Sequence, residues 1–133
     1  MSDSAAFYSL IVFGVLDLSK LPIAITMGDP AGIGPEIIAK FFSRNDSPFP
    51  FFVVGNLSIM QKAVHLIGSN LSLRPIKSPS KLCANEREIC VMQSCEMNFP
   101  ISYGVIKPEY GAAAYSSIIL AIELAMANKV SGI

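Results

Sequence analysis

Residues 23 to 36 read Ile23-Ala-Ile-Thr-Met-Gly-Asp-Pro-Ala-Gly-Ile-Gly-Pro-Glu36. The apolar run Ile23 to Thr26 has the look of a short buried strand, and Gly28, Gly32 and Gly34 punctuate the loop that follows. Pro35 and Glu36 then open an amphipathic run, Ile37-Ile38-Ala39-Lys40-Phe41-Phe42. A proline at the first turn of a helix has its φ preset and gives up an N–H that has no helical partner there. Glycines let the backbone turn sharply or approach a ligand closely. The stretch therefore reads as strand, tight loop and helix start, a place where main-chain N–H groups can face an anion. A plain tight turn between a strand and a helix gives the same pattern, and glycines alone do not separate the two.

Outward from this stretch the order alternates. Phe51-Phe52-Val53-Val54-Gly55 is a second buried strand. Ser58 with Gln61 has capping-box spacing and predicts a helix over 59–67, stopped by Gly68. A third strand is expected over 71–76, closed by Pro75, and a fourth over 88–93. A connection over 98–110 leads to a helix over 112–128, apolar except for a narrow strip of Ser116, Ser117 and Glu123 and so expected to be buried on most sides. Val130 to Ile133 begins what reads as another strand. Strands alternating with helices imply an α/β fold, a mainly parallel sheet in three layers. The early end of that last strand predicts an incomplete, truncated sheet.

Composition bounds the function. At 133 residues the chain is one domain or part of one. Hydrophobic residues make up 52% and charged residues 15%, which points to surfaces covered by another domain or subunit. Ten basic and ten acidic residues cancel, so nothing favours nucleic acid. Cys83, Cys90 and Cys95 contain no C-x-x-C pair, which reads as reduced cytoplasmic thiols and not a zinc site. Ala5 to Leu16 is too short to span a bilayer and lacks the flanks of a secretory signal. His65, the chain's one histidine, falls with Gln61, Lys62 and Ser69 on a polar helix side and reads as a surface residue. Asp29 is the carboxylate of interest: it either holds nearby N–H groups of its turn or positions a ligand. Glu36 suits the helix dipole, Thr26 suits a strand, and Tyr103, Tyr110 and Tyr115 are expected to be packing residues.

The loop is neither a P-loop nor a G-x-G-x-x-G fingerprint. The ten residues Met27 to Glu36 closely resemble the N-terminal signature of the 4-hydroxythreonine-4-phosphate dehydrogenase family of pyridoxal phosphate biosynthesis. Gly104 to Tyr115, Ala121 to Ala125 and Val130 carry the likeness on, from about Leu21 to the end, leaving 1–20 as a non-matching extension. The loop is also similar to that of isocitrate and isopropylmalate dehydrogenases, although Pro30-Ala31 is an insertion relative to them. The resemblance implies an isocitrate/isopropylmalate dehydrogenase-like fold and oxidation, with decarboxylation, of 4-phosphohydroxy-L-threonine. It implies NAD or NADP, a divalent metal, a homodimer, and a substrate or cofactor loop at Gly28, Asp29, Gly32 and Gly34. It also implies that the metal-binding histidines lie in a part of the family that this chain lacks, so that the chain alone is inactive. A non-enzymatic remnant, or one half of a split protein, is the alternative.

Overall fold

The computed structural model describes residues 21–44, 49–82 and 87–133. The expected extension over 1–20 and Cys83 lie outside the described residues. Among the described residues, four strands form one sheet: β1 (Ile23–Thr26), β2 (Phe51–Gly55), β3 (Ser72–Ile76) and β4 (Glu88–Gln93). Their spatial order is β1-β2-β4-β3, and every pair is parallel. Ile23 pairs with Phe51 and Thr26 with Val54, the pairing expected from the two apolar runs. Beyond β1, Gly132 forms a parallel bridge to Ile23, and the Ala24 N–H donates to its carbonyl at 3.0 Å. The strand expected from Val130 is here a single isolated bridge beside β1.

Among the described residues, three α-helices cover the sheet: α1 (Gly34–Arg44), α2 (Leu57–Leu66) and α3 (Pro108–Met126). Side-chain alternation along β2 divides the core in two. Val53 joins Met27, Ile38, Ala39, Met60 and Val64 beneath α1 and α2. Phe52 and Val54 point the other way, to Ala24, Cys90, Ala121 and Leu124 beneath α3. The helix placement follows from crossover handedness. The steps β1 to β2 and β2 to β3 run in one direction across the sheet and put α1 and α2 on one face. The step from β4 back past β1 runs the other way and puts α3 on the opposite face, as right-handed crossovers require.

Several sequence expectations are corrected. The N-cap of α2 is Asn56, whose side chain accepts the Ile59 N–H at 3.1 Å; Ser58 instead donates to Asn56 Oδ1 at 2.7 Å. Pro75 lies inside β3, paired with Val91. It is tolerated there because, among the described residues, β3 has a sheet neighbour on one side only, so its missing N–H can fall on the unpaired side. Helix α3 begins at Pro108, four residues earlier than expected, with Pro108 in the first turn. Its buried side is Tyr110, Ala113, Ser117, Ala121 and Leu124. Ser117, expected on the polar strip, is fully buried and shares a 2.9 Å hydrogen bond with Ser94. The opposite side, Tyr115, Ile118, Ile122 and Met126, is exposed, so this helix is not buried on most sides. Tyr103 and Tyr115 are exposed as well, and Tyr110 is the packing tyrosine.

Candidate functional site

The three described helices start at the carboxyl edge of the sheet, where open α/β sheets bind ligands. The strand exits diverge here. β2 leads to α2 on one face, while its neighbour β4 leads to α3 on the other. The edge is built from the loop after β1, from Asn56, and from residues 94–107.

In the first loop, Gly28 adopts a φ of +74°, a left-handed conformation that side chains rarely tolerate. Asp29 follows and makes a local turn: its Oδ1 accepts the Ala31 N–H at 2.8 Å, and its carbonyl accepts the Gly32 N–H at 3.1 Å. Asp29 thus holds its own turn, the local role expected of it, and stands exposed at the rim. Gly34 opens α1, and a Cβ there would lie 2.6 Å from the Met27 carbonyl oxygen. The third glycine thus lets the helix sit close against the strand end.

The helix N-termini differ in what already fills them. At α2, Asn56 caps Ile59, and Gln93 Oε1 accepts the Leu57 N–H at 2.9 Å. That end is closed by the protein's own amides. At α1, the N–H groups of Gly34 and Glu36 meet no acceptor among the described residues, leaving two donors of the first turn without a protein partner there. Glu36, half-buried in the first turn, partly offsets the dipole, so an incoming anion would be held by these N–H groups more than by net charge.

The 94–107 segment completes the edge. The Gly104 N–H reaches the Ala31 carbonyl at 3.4 Å, which brings it beside the glycine loop. Tyr110 anchors its base: the phenol oxygen accepts the Ser102 N–H at 2.8 Å, and the ring stacks on Phe99. The Ser102 hydrogen bond holds the Tyr110 pKa below its ordinary value, against the opposing effect of burial. Sequence reasoning missed Asn56, Gln93 and Ser102 at this edge. The signal for Asn56 was an N-cap residue type directly after a strand.

The other candidates stand apart. His65 is exposed in the last turn of α2, as expected of a surface histidine. Thr26 is half-buried at the end of β1. Cys90 is buried and Cys95 half-buried, and burial raises the Cys95 pKa, which disfavours its thiolate. Among the described residues, no group of three or more His, Cys, Asp or Glu could hold a metal ion, and no helix is long and apolar enough to cross a membrane.

No family model matches the chain. Individual relatives do. It is 35% identical over 112 residues to a 4-hydroxythreonine-4-phosphate dehydrogenase of Beijerinckia indica, covering 84% of this chain and 33% of that protein. It is 32% identical over 118 residues to a Fusobacterium nucleatum protein provisionally named D-threonate 4-phosphate dehydrogenase, covering 86% of this chain and 35% of that one. The crystal structure of 4-hydroxythreonine-4-phosphate dehydrogenase from Klebsiella pneumoniae superposes with a TM-score of 0.76 at 31% identity, over 86% of this chain and 35% of that one. Sequence and fold together make the chain a relative of the 4-hydroxythreonine-4-phosphate dehydrogenases, spanning about a third of the length of the curated proteins it matches.

Proposed function

We propose that this chain carries the glycine-loop part of an oxidoreductase that acts on 4-phosphohydroxy-L-threonine with NAD or NADP, in pyridoxal phosphate biosynthesis. The observation that carries the reading is the unfilled N-terminus of α1 beneath a loop that matches these dehydrogenases. The Gly34 and Glu36 N–H groups would take an anionic group of substrate or cofactor, as helix N-termini do. Asp29, with its turn fixed by Ala31 and Gly32, would present a carboxylate at the rim for orientation. The nicotinamide cofactor, when bound, supplies the hydride acceptor for a hydroxyl oxidation that yields a β-keto acid prone to lose carbon dioxide. The described residues offer no metal ligand set, so no step is assigned to a metal in this chain. We also propose residues 21–133 as the domain part shared with the relatives, a homodimer for the full-length family, and a cytoplasmic location from the free thiols Cys90 and Cys95. A second reading, one half of a split protein, is favoured by the exposed apolar side of α3.

Titration of the isotope-labelled chain with 4-phosphohydroxy-L-threonine and with NAD tests the site. The amide resonances of Gly32, Gly34 and Glu36 are expected to move, without metal-dependent NAD reduction by the chain alone. Unmoved amides at saturating concentrations of both would refute the site. Turnover abolished by a chelator would refute the expected inactivity.

A further inference from the structure

The 94–107 connection leaves several large apolar side chains in water. Tyr103 is 56%, Val105 45% and Ile106 97% exposed. Ile33, just before α1, and Ile37, in its first turn, are 67% and 55% exposed. The two uncovered groups are neighbours, because the Gly104 N–H reaches the Ala31 carbonyl.

The ends of this segment are held more closely than its middle. Ser102 is fixed by the buried Tyr110 oxygen, and Lys107 by the Tyr110 ring, its Nζ 5.5 Å from the centroid and 3.5 Å from Ser102 Oγ. Between these anchors the backbone bonds are long. Gly104 to Ala31 and Val105 to Ser102 each measure 3.4 Å, well beyond the usual N–H···O distance of about 2.9 Å. Gly104 has a φ of +72°, a hinge-compatible conformation open to glycine. Apolar surface left in water on two neighbouring segments favours bringing them together.

We propose that residues 103–106 form a strap that closes onto Ile33 and Ile37 when a ligand occupies the glycine loop, covering the ligand from solvent. This rests on the reading of that loop as a ligand site. Closure would move Ile106 from water into contact with the start of α1, completing an apolar cover over the Gly34 and Glu36 N–H groups. Loops that seal a site in this way exclude water and commit the bound molecule.

The chain contains no tryptophan, so Ile106→Trp creates a single reporter at the strap's most exposed position. Binding of 4-phosphohydroxy-L-threonine and of NAD to the unaltered chain is measured separately by calorimetry. With ligand bound, the emission of the introduced indole is expected to shift to the blue and its acrylamide quenching to fall. Ile106→Ser is expected to weaken binding about tenfold with an unchanged thermal midpoint, as loss of one buried aliphatic contact would do. Calorimetric binding with unchanged emission would overturn the strap and leave the loop reading standing. Absence of binding by either probe would overturn both.

Discussion

At the scale of single residues, the glycine loop is held as much by Met27 as by its glycines. Met27 is buried, its N–H donates to the Val54 carbonyl at 3.0 Å, and its sulfur accepts the Asn56 N–H at 3.4 Å. Two glycines make room for it. A Cβ on Gly34 would lie 2.6 Å from the Met27 carbonyl oxygen, and one on Gly55 2.5 Å from Met27 Cβ. Backbone cannot yield as a flexible side-chain tip does. Gly34→Ala is therefore expected to cost about 1–3 kcal/mol of stability. Gly111 is the counter-case. It lies inside α3, exposed, and a methyl group added there would meet nothing within 4 Å. Gly111→Ala is expected to stabilise by about 0.5–1 kcal/mol. Urea unfolding of both variants checks the pair, and equal effects would remove the packing account of Gly34. The sequence showed that this loop needed glycines, but not that Gly34 and Gly55 flank the same methionine. That knowledge required the strand pairing that sets residue 55 beside residue 27.

At the scale of elements, the helix ends follow local chemistry closely. Helix α2 stops in a Schellman turn: Gly68, φ +65°, donates to the His65 carbonyl, and Ser69 donates to that of Val64. Helix α3 stops the same way with Asn128, φ +52°, donating to Ala125, and Lys129 donating to Leu124. At the start of α2, Asn56 also donates from Nδ2 to the Cys95 carbonyl at 3.0 Å, joining the cap to the segment after β4. Asn56→Ala is expected to cost about 1–2 kcal/mol, whereas Ser58→Ala stays within about 0.5 kcal/mol. Thermal unfolding decides between them, and a larger loss at Ser58 would restore the capping-box reading. The strands were legible almost to the residue, because buried parallel strands are short continuous apolar runs. Helix starts were less so. Ser58 and Gln61 had the right spacing for a cap, but Asn56 stood two residues nearer the strand and took the role. Pro108, which the sequence reading left in the connection over 98–110, opens α3, since a first-turn proline loses no helical hydrogen bond.

At the scale of the molecule, the two cores on either side of β2 account for the sheet and one side of each helix, and leave the outer side of α3 uncovered. Tyr115, Ile118, Ile122 and Met126 recur at helical spacing along it, exposed by 41% to 80%. The high apolar fraction announced that some surface needed covering, but composition has no direction. Only the seating of Ala113, Ser117, Ala121 and Leu124 on the sheet fixed which side faces out. An apolar stripe of this kind in water favours association through the hydrophobic effect. The isolated chain is accordingly expected to sediment as dimers or larger species in a concentration-dependent way. Charging the stripe tests whether it is the contact. Ile118→Glu with Ile122→Lys puts an opposite-charge pair four residues apart on an already exposed side, so helix and core should remain intact. The double variant should shift the distribution towards monomer and keep its unfolding midpoint. A monodisperse monomer for the unaltered chain, with a cooperative thermal transition, would mean that α3 tolerates its apolar side in water. A double variant that unfolds would mean instead that Ile118 and Ile122 support the sheet from a side that the fold leaves open.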